Sequence, residues 1–164
     1  MSARSSANGL LVLTLLLGLM LTLVPLPAVI EPARPYWVAL FVIYWNLEGG
    51  RLRYLGQAFL LGLLLDLCTA SLLGQHALSL VVLVFLLERF RARIRFFPPW
   101  QQAAAILALL VNDRIIQVWI IGLMGYDWPV WSWWLAPPVA VLVWPWLFLM
   151  MDALRQAGRV NTGA

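Results

Sequence analysis

The side chains here with the chemistry to act on something are few, and most stand inside long apolar runs. Asp66 closes the string Gly62-Leu63-Leu64-Leu65-Asp66, and Asp113 with Arg114 interrupts the run that begins near Trp100. An ion surrounded by apolar residues must be paired or put to use, because a low-dielectric environment makes an isolated charge costly. Counted at helical rise, Asp66 lies about 20 Å from Arg53 and Arg114 about 21 Å from Trp100, which puts both at one depth. Asp66 or Asp113 is therefore expected to meet Arg114 across helices. Asp113 and Arg114 are neighbours pointing about 100° apart and are poorly placed to pair with each other. Proton relay or ion coordination is the functional alternative for the acids.

His76 is the only histidine, in Gly74-Gln75-His76-Ala77. One histidine without Cys/His spacing makes no histidine-rich metal site, so no metal and no cofactor is expected. Beside Ser71 or Ser79 it would be a candidate general base, yet no nucleophile elbow or oxyanion string accompanies it. An aspartyl pair from Asp66 and Asp113 is the other hydrolytic arrangement, again without supporting motif. Asp113 and Gln117, four apart, share a helix face and with Asp66 and Asn112 would line a ligand cavity.

These residues need elements to position them, and composition says which kind. The 164 residues are 63% hydrophobic with 10 tryptophans and only 11% charged, far more apolar side chain than one globular core hides. The surplus must face lipid, which predicts an all-α polytopic membrane bundle forming a single domain over residues 1–164. Six spans are expected at about 9–27, 35–47, 54–72, 77–88, 100–124 and 133–151. The second and fourth are short, so each is either a crossing or a half-buried segment. The first is read as a membrane helix rather than a signal peptide, since its apolar run is long and Val24-Pro25-Leu26-Pro27 is a poor cleavage site. Pro35, Pro98-Pro99 and Pro137-Pro138 mark helix starts, and Pro145 falls mid-span, where it should kink the sixth helix. The lone Cys68 allows no intrachain disulfide.

Every cation is arginine, and a formal charge of +4, which in a soluble protein would suggest nucleic acid, here reads as topology. Six spans with both ends inside place Arg4, Arg51, Arg53, Arg89, Arg91, Arg93, Arg95, Arg155 and Arg159 in the cytoplasm, Arg34 outside and Arg114 within a span. Trp128, Trp131, Trp133 and Trp134 then crowd the outer headgroup layer. Arg89, Arg91, Arg93 and Arg95 alternate with apolar residues, and Phe90, Ile94 and Phe97 form an apolar face. That segment is expected to lie on the inner leaflet, as an anchor on anionic lipid or a cytoplasmic docking surface. Ala58, Gly62, Asp66, Ala70 and Gly74 recur every four residues. Such a stripe lets helices approach closely, so the third span is expected at the centre of the bundle, with partner binding or a ligand groove as alternative uses.

In order along the chain, Arg34-Pro35-Tyr36-Trp37 leading to Ile43-Tyr44-Trp45, Gly62 to Asp66, Ser71 to Leu78, Trp100-Gln101-Gln102-Ala103 and Trp144-Pro145-Trp146 resemble the rod shape-determining MreD family. The resemblance implies a bacterial inner-membrane component of the cell-elongation machinery. Its partners would be an MreC-like scaffold, actin-like MreB, and a SEDS glycosyltransferase with its class B penicillin-binding transpeptidase. It also implies an architecture similar to the substrate-binding subunits of energy-coupling-factor transporters, and no catalytic residues. A nonenzymatic scaffold is thus the leading expectation. The competitors are a small-molecule carrier, using Asp66, Asn112, Asp113 and Gln117, and an intramembrane hydrolase.

Overall fold

A computed structural model describes residues 2–28, 30–49 and 55–160; Arg51 and Arg53 lie outside them, as do the side chains of Arg4 and Arg159. Helices α1 (Ser2–Leu23), α2 (Trp37–Gly49), α3 (Leu55–Thr69), α4 (Gln75–Phe96), α5 (Pro99–Leu123) and α6 (Ala136–Val160) follow in order. Short 3-10 turns at Glu31–Ala33 and Trp131–Leu135 precede α2 and α6, and no strand occurs among the described residues. Proline sets two of the starts: Pro99 opens α5, and Pro137-Pro138 fall in the first turn of α6, where an absent N–H costs nothing. Helix α6 continues through Pro145.

Two helices, Pro99–Leu123 and Trp131–Ala157, are long and apolar enough to cross a membrane; Asn8–Leu23 and Leu55–Thr69 are apolar but shorter. One end of the molecule gathers Arg34 and the Trp131–Leu135 turn, and the other carries the last turns of α4 and α6. They are called the tryptophan end and the arginine end below.

The centre of the bundle is α2, not α3. Every residue from Val38 to Leu47 is buried, Leu40, Val42, Ile43 and Tyr44 completely. A helix that is apolar on all faces has no polar side to turn outward, and it is enclosed by packing against α1, α4 and α6. It has 13 residues, about 20 Å at helical rise. The Trp45 indole N–H donates to Thr14 Oγ1 at 2.9 Å, joining α2 to α1. Tyr44 meets Phe148 edge-on, and Arg155 donates to Glu48 at 2.8 Å, joining α2 to α6. By contrast α3 leaves Leu60 and Leu67 largely exposed, so its small residues serve one close helix pair rather than a central position.

The arginine segment is continuous with the apolar helix before it. Arg89, Arg91, Arg93 and Arg95 form the last two turns of α4, because nothing between Leu87 and Phe97 breaks the helix before Pro98-Pro99. Ile94 is buried there, whereas Phe90 and Phe97 remain exposed. Arg34, the one cation expected outside, donates to the carbonyls of Thr22 and Val24 and closes the free end of α1.

Helix α3 stops by a device its sequence disguises. Ala70 adopts a positive φ of 50°, and the Ser71 N–H returns to the Asp66 carbonyl at 3.1 Å, which is how a helix ends on a left-handed residue. Alanine pays a steric penalty in that conformation and glycine does not. Ala70→Gly is therefore expected to raise stability by about 1 kcal/mol, read as a higher thermal unfolding midpoint in detergent.

Candidate functional site: a polar cavity at the tryptophan end

The site is built on the α3–α4 hairpin. Gly62 faces the first turn of α4 so closely that a Cβ there would sit 2.5 Å from the Ala77 nitrogen and 2.7 Å from the His76 carbonyl carbon. One turn further on, that approach brings the Asp66 carboxylate under the free amides that start α4. Oδ2 accepts from the Gly74 N–H at 2.8 Å and Oδ1 from the His76 N–H at 2.9 Å, with Ala77 N–H at 3.4 Å. A carboxylate here satisfies donors that have no partner inside the helix and complements its positive dipole end. Gly74, at φ 97°, turns the chain into α4.

His76 Nδ1 lies 2.8 Å from Asp66 Oδ1 and 3.1 Å from Ser71 Oγ, and Ser71 in turn donates to Asp66 at 2.9 Å. Ser, His and Asp thus come together, but on one ring nitrogen. A proton relay needs the acid on one nitrogen and the nucleophile on the other, so Ser71 is not activated by this histidine. The Nδ1–H tautomer fits these contacts, and the ring lines the cavity beyond.

That cavity encloses about 370 Å³ between α2, α4, α5 and the two 3-10 turns. Along one wall Tyr36 OH donates to Gln117 Oε1 at 3.3 Å, and Gln117 Nε2 donates to Asp113 Oδ2 at 2.8 Å. Gln117 Nε2 also lies 3.5 Å from Ser79 Oγ, which donates to the His76 carbonyl. Arg114 is 7% exposed and lies between two rings, its Cζ 4.3 Å from the Tyr36 centroid and 3.9 Å from that of Trp133. Two aromatic faces hold a guanidinium with less desolvation than a carboxylate partner would need.

The expected pairing of Asp66 with Arg114 is therefore corrected. Asp66 is occupied by amides, Ser71 and His76, and Arg114 makes no ion pair among the described residues. Asp113 and Arg114 do share the cavity, side by side and unpaired with each other. Asp113 Oδ1 and Arg114 Nε have no hydrogen-bond partner among the described residues, although the two residues are 2% and 7% exposed.

Of the four residues grouped as ligand-binding, only Asp113 and Gln117 line this cavity. Asn112 faces a different groove, and Asp66 stays behind His76. In the small-residue stripe, Ala58 and Gly62 are buried, while Ala70 and Gly74 belong to the turn. Sequence reasoning missed Tyr36 and Trp133 as the partners of Arg114. The one available signal was a buried cation in a chain so rich in tryptophan. Outside the cavity Trp128 and Trp131 are 77% and 90% exposed.

Two membrane-length apolar helices beside a buried core helix, with a cavity carrying buried polar groups at one end, are the features of a helical membrane protein. The family model for rod shape-determining protein MreD matches residues 3–154, and the chain belongs to that family. It is similar to the rod shape-determining protein MreD of Haemophilus influenzae, at 28% identity over 145 residues, covering 88% of this chain and 90% of that protein. No solved structure matches the chain. Family membership suggests a role in rod shape determination, in a family of membrane proteins that is not a known enzyme family.

Proposed function

We propose that this chain is a nonenzymatic scaffold of the bacterial inner membrane that supports cell elongation. It crosses six times as one domain with both termini in the cytoplasm, and the tryptophan end faces outward. Its direct partner is an MreC-like protein, through which it acts with actin-like MreB, a SEDS glycosyltransferase and a class B penicillin-binding transpeptidase. Arginine placement supports the orientation, since it leaves Arg34 as the only cation outside, and Arg34 caps α1. In architecture the six-helix reading is that of the energy-coupling-factor substrate-binding subunits.

The observation that carries the proposal is the pair of unmatched buried atoms, Asp113 Oδ1 and Arg114 Nε, on a cavity that opens where a partner's outer segment would arrive. Buried polar groups are nearly always satisfied by protein or by water, so a partner group entering the cavity would replace water on this donor and acceptor with its own hydrogen bonds. The exposed Trp128 and Trp131 at the same end add apolar contact area, of the kind that dominates interfaces. The stripe around Gly62 is used up within the α3–α4 hairpin, which moves the partner surface from there to the cavity and the tryptophan turn.

Depletion in the source bacterium is expected to turn rods into spheres. Wild-type chain restores rods and recovers the MreC-like partner after crosslinking in membranes. Arg114→Gln is expected to lose partner recovery roughly tenfold or more, the scale of truncating a buried interface charge, at normal membrane abundance. Unchanged recovery and unchanged shape would remove the cavity from the proposal. The enclosed wall of Asp113, Gln117 and Tyr36 favours one second reading, a small-molecule carrier. A stoichiometric small ligand carried through purification distinguishes it.

A further inference from the structure

A second concavity lies at the opposite end of the molecule, along the seam between α4 and α5, and encloses about 340 Å³. It is lined along α4 from Leu86 through Phe90 to the capping residue Phe97, and on α5 by Ala105 and Ala108, whose small side chains leave the indentation. From Leu86 to Phe97 is eleven residues, about 16 Å of helix. That is about half of the ~30 Å hydrocarbon thickness of a bilayer. The track is almost wholly apolar and stops at the amide of Asn112, so a hydrocarbon lying in it has the reach of a single leaflet.

Its mouth is cationic. Arg93 borders the groove, and the same two turns of helix carry Arg89, Arg91 and Arg95. Arg91 is turned inward and donates to the Leu47 carbonyl at 3.4 Å, whereas Arg89, Arg93 and Arg95 are exposed. An apolar slot one leaflet deep, opening beside an exposed guanidinium among further cations, has the shape and charge of a phospholipid site.

We propose that this seam holds one acyl chain of an anionic glycerophospholipid of the inner leaflet, with its phosphate on Arg93. The site rests on the membrane orientation above but not on any partner or on the outer cavity. Arg93 accounts for the preference for an anionic head, and Ala105 with Ala108 for the space its chain occupies.

The full chain is reconstituted in nanodiscs of phosphatidylcholine containing a minor share of phosphatidylglycerol, then released and weighed by native mass spectrometry. Wild type is expected to retain phosphatidylglycerol over phosphatidylcholine as a discrete single adduct. Arg93→Gln is expected to lower that preference about fivefold, since one arginine near the membrane surface contributes roughly 1 kcal/mol. Ala108→Phe fills the slot and is expected to remove the discrete adduct, whereas Arg95→Gln, on the same turns but outside the groove, retains it. Three results overturn the site. They are equal retention of the two lipids by wild type, equal loss in Arg95→Gln and Arg93→Gln, which means a diffuse basic surface, and a lipid-free dimer, which means that a second copy covers the seam. Partner recovery and rod shape are scored separately, so failure of this site and failure of the scaffold proposal are distinguishable.

Discussion

Gly62→Ala is expected to unfold the α3–α4 hairpin locally and to lower stability by about 3 kcal/mol or more, the upper range for overpacking. The added methyl would meet backbone on every side that matters: the Ala77 nitrogen at 2.5 Å, the His76 carbonyl carbon at 2.7 Å, and the Ala77 Cα closer still. Backbone cannot rotate aside as a side chain can, so the helices must separate. Separation then stretches the Asp66 bonds one turn away, which sit at 2.8–2.9 Å and have no slack. Two other glycines calibrate the result. At Gly18 the nearest atom is Phe41 Cδ2 at 2.8 Å, the edge of a ring that can shift, so alanine there is expected to cost about 1 kcal/mol. At Gly56 nothing lies within 4 Å, and alanine is expected to stabilise by about 0.5–1 kcal/mol through helix propensity. The order of thermal midpoints in detergent should be Gly56→Ala, wild type, Gly18→Ala, Gly62→Ala. A Gly62 variant that melts with wild type would mean that the close helix contact is not what holds the hairpin.

Small residues at intervals of four made the hairpin's close packing legible in the sequence, but its partner helix was not. Nothing in the stripe says which neighbour approaches, and a period of four cannot show that Ala70 lies beyond the helix, in a left-handed turn. Helix starts were visible because proline constrains them locally. Centrality was hidden for the opposite reason. It depends on whether a helix has any face to spare for lipid, and the clue lay in the unbroken apolar run from Val38 to Ile43, not in the stripe. The charges within the apolar runs were expected to pair across helices, yet Asp66 and Arg114 find other partners. Opposite charge at similar count is a one-dimensional match, and three-dimensional neighbours outbid it: ten residues along the chain, the start of α4 supplies Asp66 with amides and an imidazole. Arg114 finds two rings that come from segments near 36 and 133, a long-range convergence that no local pattern encodes.

Asp66→Asn is the second change with a large expected effect, and it separates two accounts of the carboxylate. If Asp66 serves chiefly as the ion partner of His76, then removing either member should cost about the same, as for any broken pair. If it serves chiefly as the cap of α4, the two changes should differ greatly. His76 supplies one side-chain contact, whereas the amides of Gly74 and His76 supply two and Ser71 another. Asparagine keeps the shape but turns one oxygen into an N–H donor. Whichever way the amide is flipped, that donor faces a backbone N–H, at Gly74 or at His76, and one buried donor is left unsatisfied. Hydrogen bonds to a charged acceptor contribute about 1.5–3 kcal/mol each, and they are not additive within one network. The expected loss for Asp66→Asn is therefore about 3–4 kcal/mol, against about 1 kcal/mol for His76→Ala, where the backbone amide of residue 76 still reaches the carboxylate. Unfolding midpoints of both variants in detergent test this directly, with membrane abundance in cells as the second readout. Equal losses would return the ion pair to first place. The expected inequality would mean that this buried acid serves to start a helix, and that the cavity beyond it inherits its shape from a cap rather than from a charge awaiting a proton.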